Sequence, residues 1–144
     1  MKEQSYENHS RYYPLQHYIW LPLSFLMLIG TIVYLVMQLI NGSFTFETLL
    51  LVGLVVLSII PGVLARSYAL KMQDRLIRTE EQFRYFILTK EPIDPRLTIQ
   101  QLIALRFASD AELPVLAKKA AEEGMTPDSI KKSIVDWRSD YHRV

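Results

Sequence analysis

Two long stretches without a charged residue constrain this chain more than any other feature of its sequence. Residues 12–46 contain no Asp, Glu, Lys or Arg over 35 positions, and residues 48–65 contain none over 18. The chain has 16 basic and 15 acidic side chains, and 26 of these charged residues follow Ala65. A soluble globular domain intersperses charged and apolar residues, whereas this chain separates them. The division predicts an integral membrane protein.

Each apolar stretch is long enough to form a membrane-spanning helix. Residues 18–40 and 44–65 would each extend about 34 Å, compared with a hydrocarbon core about 30 Å thick. Residues 41–43, Asn-Gly-Ser, lie between them, and Asn-Gly accommodates the positive φ of a sharp reversal. A cleaved signal peptide would have a shorter apolar core, and a buried soluble hairpin would need more chain to cover it. We therefore predict a transmembrane hairpin over residues 18–65, after a cytoplasmic segment of residues 1–17.

Basic residues near the apolar stretches predict the orientation of the hairpin. The turn contains no Lys or Arg, whereas Lys2 and Arg11 precede the first stretch. Five basic residues follow the second stretch closely: Arg66, Lys71, Arg75, Arg78 and Arg84. Because Lys and Arg accumulate on the cytoplasmic side, we expect both termini in the cytoplasm and the turn outside.

The interior of the two predicted spans carries no ionisable side chain, which argues against a transporter or proton relay acting alone. Small residues allow close helix packing in membranes. We assign this membrane packing role to Gly30, Gly53, Ser58 and Gly62. They either pack the hairpin on itself or form a face for another copy or another protein.

The second helix is predicted to continue into the cytoplasm over residues 66–91, because no Gly or Pro interrupts it before Pro92. Apolar and small residues recur there at alternating spacings of four and three, as in a heptad pattern. They are Ala65, Ala69, Met72, Leu76, Thr79, Phe83 and Phe86. We predict that Met72, Leu76 and Phe83 form a seam for self-association or a partner. The alternative is packing against the chain's own later helices.

Four basic residues of this region lie where anionic lipid headgroups would be. They are Arg66, Lys71, Arg75 and Arg78. Each could contribute on the order of 1 kcal/mol of attraction near a membrane surface. The cluster is therefore predicted to bind headgroups, or else it serves only as a topology signal.

Residues 92–144 carry three helix start signals and are predicted to form a small three-helix bundle. Thr98 with Gln101 and Ser109 with Glu112 have the spacing of capping boxes. The third start consists of Thr126 as the N-cap, Pro127 at the first helical position and Asp128 in the first turn. An apolar stripe of the last predicted helix consists of Ile130, Ile134, Trp137 and Tyr141, with Trp137 expected in the core. A bundle this small is expected to dock on the long helix or on a partner.

No motif for catalysis or for a bound metal or cofactor is evident. Cysteine is absent, and His9, His17 and His142 lack metal-ligand spacing. Five glycines and no phosphate-loop motif argue against nucleotide binding, and a net charge of +1 argues against nucleic acid. The adjacent acidic pairs at 80–81 and 122–123 are predicted to be solvated. We predict no catalytic residue, no metal, no cofactor, no small-molecule substrate and no enzyme activity.

Four segments carry a resemblance to a known family. They are YENHSR at 6–11, YALKMQDRLIR at 68–78, ALRFASD at 104–110, and the closing KK at 131–132 with WRSDY at 137–141. In these segments the chain resembles an uncharacterised family of small bacterial two-pass membrane proteins, a domain of unknown function. The resemblance implies a bacterial inner membrane and carries over no catalytic residue. Within these segments, we expect Asp74 or Arg75 to clamp the bundle through Arg106 or Asp110.

Together the patterns predict an all-α fold: a transmembrane hairpin, a second helix extended into the cytoplasm, and a three-helix bundle. The predicted function is a membrane-anchored helical interaction module that contacts lipids and binds a protein partner or a second copy. The alternative is an accessory subunit of a larger transport or envelope complex.

Overall fold

A computed structural model describes residues 5–7 and 13–140 of the chain. After a π-helical segment, Leu15–Trp20, five helices follow: α1 Leu21–Ile40, α2 Phe46–Thr89, α3 Ile99–Leu105, α4 Leu113–Glu123 and α5 Pro127–Ser133. The described residues divide into two compact units. The hairpin unit consists of residues 13–69, and the bundle unit consists of residues 70–140 together with residues 5–7. The predicted all-α class is confirmed, and the second apolar helix continues unbroken to Thr89.

The reversal between α1 and α2 is formed by local hydrogen bonds. Gly42 has a φ of +65°, the left-handed conformation that favours glycine. The Ser43 N–H donates to the Gln38 carbonyl at 3.0 Å, and the Gly42 N–H donates to the Leu39 carbonyl at 3.2 Å. This pair of bonds is a Schellman motif, which satisfies the carbonyls at the end of α1. The predicted turn at 41–43 therefore has the expected chemistry.

Few apolar residues of the hairpin unit are buried. Only 6% and 11% of the most apolar stretches of its two helices are buried. Trp20 immediately precedes α1 and Gly62 lies well into α2, and the indole of Trp20 occupies the space beside Gly62. The two helices of the hairpin therefore run antiparallel. Both helices are long and apolar enough to cross a membrane.

The bundle unit has a continuous apolar core made by α3, α4, α5 and the segments around them. Its largest fully buried side chains are Leu102, Leu105, Phe107, Leu113 and Ile130. Tyr85 of α2 packs against this core, so the bundle docks on the second half of α2. Thus part of the long helix completes a core that three short helices alone would leave open.

Two of the three predicted helix starts form as expected. Thr98 and Gln101 make a complete capping box at α3, and the buried Gln101 amide also donates to the Met125 carbonyl at 2.8 Å. Thr126 accepts the Ser129 N–H at 3.1 Å to begin α5. These caps succeed because each needs only residues three apart in the sequence.

The predicted start of α4 is wrong. The helix begins at Leu113 instead of after Ser109, which places Pro114 in its first turn. The Glu112 carboxylate accepts the N–H groups of Val135 and Asp136, each at 3.2 Å. Glu112 therefore binds the chain's final segment and does not close a capping box.

The predicted last helix is too long. α5 ends at Ser133, and Ile134 is already extended with a ψ of 123°. Residues 134–140, the closing segment, instead run beside residues 107–112. The Arg138 N–H donates to the Phe107 carbonyl at 2.7 Å, and the Ser109 N–H donates to the Asp136 carbonyl at 3.1 Å. Since these partners replace helical bonds, the segment needs no helix to satisfy its backbone. The predicted stripe residue Tyr141 lies outside the described residues.

Candidate functional site

A cleft of about 710 Å³ lies along α2 in the bundle unit. Leu76, Phe83 and Ile87 supply an apolar wall on α2, and Asp110 and Asp140 are among the charged residues that line it. The cleft therefore combines an apolar wall on α2 with charged groups of the bundle.

Arg84 of α2 is the centre of the contact between the long helix and the bundle. Its Nε donates to the Asp110 carboxylate at 2.6 Å, and its Nη2 donates to the Ala108 carbonyl at 2.7 Å. Its Nη1 donates to the Glu81 carboxylate at 3.0 Å. The side chains of Arg84 and Glu81 are 11% and 6% exposed, so their bond is largely shielded from water, whereas Asp110 is 69% exposed. One guanidinium thereby joins α2 to the loop after α3.

Glu81 is the most buried charged residue of this cluster, at 5% exposure. Burial raises the pKa of Glu81, and the nearby Arg84 opposes this change without cancelling it. Arg138 lies 3.9 Å away and adds a weaker attraction. The prediction that residues 80–81 are both solvated is therefore wrong for Glu81. Glu81 lies four residues after the buried Ile77, which places both on the same face of the helix. This spacing is the sequence signal that could have indicated the burial of Glu81.

Arg106 forms a second junction between the bundle and the closing segment. Its Nε lies 3.0 Å from the Asp140 carboxylate, and its guanidinium lies 4.4 Å from the centre of the Phe107 ring. Trp137 packs on the same ring, with 5.0 Å between ring centres. Trp137 is half-buried and packs against the core from an extended segment, not from the predicted helix.

The predicted clamp through Asp74 or Arg75 is wrong, because Arg84 of α2 makes the contact with the bundle instead. Asp110 binds Arg84, and Arg106 binds Asp140. Neither Asp74 nor Arg75 makes this contact, because the face of α2 that meets the bundle carries Ile77, Glu81 and Arg84. The sequence predicted an ion pair between α2 and the bundle. Which residue of α2 forms this ion pair depends on the helix face that the bundle covers.

The predicted seam lies open on α2. Met72, Leu76 and Phe83 are 64%, 59% and 64% exposed. The chain's own bundle therefore does not cover these side chains. Their role in association stays a prediction.

The predicted headgroup-binding residues are also accessible. Lys71, Arg75 and Arg78 are exposed, and Arg66 is half-buried. All four follow the apolar part of α2 by thirteen residues or fewer. Their binding to lipid stays a prediction.

The four small residues assigned to membrane helix packing have different surroundings. Gly62 lies under the Trp20 indole, where a Cβ would collide with the ring. Gly30 and Gly53 have nothing within 4 Å of the place a Cβ would take, and the Ser58 hydroxyl donates to the Val55 carbonyl at 2.8 Å. Gly62 contacts its own hairpin, whereas Gly30 and Gly53 face open space.

Among residues 5–7 and 13–140, no group of three His, Asp or Glu side chains is close enough to hold a metal ion. The carboxylates of Glu81, Asp110 and Asp140 are each bound by arginine. The chemistry of the cleft is therefore dominated by ion pairs between parts of the same unit.

Comparisons with known proteins place the chain in one family. No curated protein and no solved structure matches the chain. One family model, described as "Family of unknown function (DUF6526)", matches residues 1–144. The chain therefore belongs to the family of unknown function DUF6526.

Proposed function

We propose that this chain is a two-pass protein of the bacterial inner membrane that binds another protein or another copy of itself. Its hairpin anchors it, both termini lie in the cytoplasm, and it has no catalytic activity of its own. The carrying observation is the exposed seam of Met72, Leu76 and Phe83, which lies in a charge-rich region that lipid tails cannot cover.

The surroundings of the seam support an interaction module. The bundle has a core of its own, so the seam is not required to complete it. The charged groups of the adjacent cleft hold α2 to the bundle through Arg84 and Glu81, which suits a rigid support better than a proton-transfer site. Arg66 and Lys71 would contact anionic headgroups at the membrane surface.

The proposed orientation predicts opposite labelling of two engineered cysteines, and the absence of native cysteine makes each variant clean. Ser43→Cys in the turn should react with a membrane-impermeant maleimide in cells whose inner membrane is intact, because the turn lies outside. Ser133→Cys at the exposed end of α5 should react only after lysis. Labelling of Ser133→Cys before lysis would reverse the orientation.

The proposed association predicts a particle heavier than one chain. Full-length protein is extracted in its native lipid and weighed by native mass spectrometry. We expect a protein mass above the 16.8 kDa of a single chain. Combined Leu76→Ser and Phe83→Ser substitutions should return it to one chain, because they remove the apolar contact. The matched control is Val115→Ser, a 73% exposed position on α4, which should leave the mass unchanged.

A particle of one chain alone would overturn the interaction module. A second candidate is an accessory subunit of a larger transport or envelope complex, and the open positions at Gly30 and Gly53 favour it. In that case the particle would contain a different membrane protein in fixed ratio. If Gly53→Leu removed this other protein from the particle, and the combined Leu76→Ser and Phe83→Ser variant kept it, the accessory subunit would be the correct reading.

A further inference from the structure

We propose that the occupant of the seam is a second copy of this chain, paired in parallel along the cytoplasmic half of α2. The inference rests on the proposed function and names its partner. It is carried by the exposure of the seam, its position on the helix, and a charge pair that only the parallel register brings together.

The seam and the bundle occupy different faces of α2. At 100° per residue, the buried positions Ile77 and Glu81 point about 150° away from the average direction of the seam. A second helix can therefore lie along the seam without displacing the bundle. Under a twofold axis, the two bundles would lie on the outer sides of the helix pair.

The spacing of the seam defines a heptad register. Positions a are Ala69, Leu76 and Phe83, and positions d are Ala65, Met72, Thr79 and Phe86. This pattern covers three heptads, the length at which a coiled-coil signal becomes meaningful. Both copies enter the membrane with the same orientation, so their α2 helices must run parallel.

The charges beside the seam fit the parallel arrangement. In a parallel pair, a g residue of one helix faces the e residue five positions later on the other. Arg75 is a g position and Glu80 is the e position five residues later. Both side chains are exposed, and neither forms an ion pair with another described residue. A parallel dimer would contain two such Arg75–Glu80 pairs, one on each side of the seam.

The cleft leaves room for this contact. Glu80, Leu76 and Phe83 line its α2 wall, so the cleft is continuous with the seam. Arg75 lies about 15 Å along α2 from Ala65, beyond a headgroup layer about 5–8 Å thick on each side. Arg75 is therefore better placed for the partner's Glu80 than for lipid.

The first experiment uses adjacent single cysteines in full-length protein in native membranes, with a short bismaleimide as crosslinker. Thr79→Cys at position d should give a dimer of two chains, because d residues of a parallel pair face each other. The matched control is Arg78→Cys, one residue earlier and exposed, which points away from the seam. We expect the dimer yield of Thr79→Cys to exceed that of Arg78→Cys by about tenfold.

The second experiment tests the charge pair in the Thr79→Cys background. Arg75→Glu and Glu80→Lys should each raise the dissociation constant of the dimer about tenfold, because two attractive pairs become repulsive. The combined Arg75→Glu and Glu80→Lys variant should restore dimerisation, since each pair is attractive again with its signs exchanged. A merely structural role of either residue would not produce this rescue.

Three results would overturn the parallel dimer. They are equal yields at positions 78 and 79, no rescue by the double charge exchange, and a Thr79→Cys product that joins a different protein. The third result would leave the proposed function standing, because the seam would still bind a protein. If Thr79→Cys gave no product and the native particle contained one chain, both proposals would fail.

Discussion

Replacing Arg84 with Met should lower the free energy of unfolding of the bundle unit by about 3 kcal/mol. The substitution removes the cation that binds Glu81, Asp110 and the Ala108 carbonyl. Glu81 is left without its nearest cation in a buried place, and removing one partner of a buried pair costs more than removing both. Urea unfolding of full-length protein in detergent micelles, followed by Trp137 fluorescence in a Trp20→Phe background, measures the change.

Two variants isolate the cause. Arg78→Met removes an exposed arginine from the same helix and should change the stability by less than about 0.5 kcal/mol. Combining Arg84→Met with Glu81→Met should recover much of the loss, because no buried carboxylate then lacks a cation. A double variant no more stable than Arg84→Met alone would contradict the buried-pair explanation.

The titration of Glu81 gives an independent check of the same pair. Burial raises the pKa of Glu81 above its ordinary value of 4.5, so folding favours the protonated carboxyl. Its stabilising contribution is fully present below that ordinary value and is lost as the pH rises through the raised pKa. The stability of Glu81→Gln relative to the native sequence should therefore increase as the pH rises from about 4 to 7.

Phe107→Ala should destabilise the bundle by about 3–5 kcal/mol, because the ring is 1% exposed and its removal leaves a cavity in the core. The ring also supports Trp137 on one side and the Arg106 guanidinium at 4.4 Å. The variant should show a lower urea midpoint and a red-shifted Trp137 emission before unfolding, since the indole loses its neighbour.

The control is Val135→Ala in the same closing segment, where the side chain is 88% exposed. Its effect should remain within about 0.5 kcal/mol. Phe107→Leu should lose less than half as much stability as Phe107→Ala, because leucine refills most of the volume of the ring. Equal losses in Phe107→Leu and Phe107→Ala would mean that the ring's interactions, and not its volume, determine the stability.

The sequence predicted those parts of the fold that depend on neighbouring residues. The hairpin turn needs only Gly42 and its adjacent carbonyls, and the starts of α3 and α5 need only Thr98 and Thr126 with residues three positions later. Such motifs are complete within one turn of helix, so local chemistry decides them.

The predictions failed where partners are distant in the sequence. Glu112 binds backbone groups 23 and 24 residues later, and a local reading assigned it to a capping box. The apolar spacing of Ile130, Ile134 and Trp137 fits a helix, but the bonds to residues 107–112 hold the last two in extended chain. Arg84 was missed for the same reason, since its main partners, Asp110 and Ala108, lie 26 and 24 residues away.

The closing segment has a consequence for how the protein is made. Residues 134–140 supply bonds that tie α5 to the loop after α3, and they are synthesised after the helices that they hold together. The two apolar helices leave the ribosome before these residues, so they are complete while the bundle still lacks its final bonds. A chain terminated after Ser133 would therefore contain both apolar helices and an unfinished bundle core. Quality-control proteases would encounter such a chain as an incompletely folded substrate.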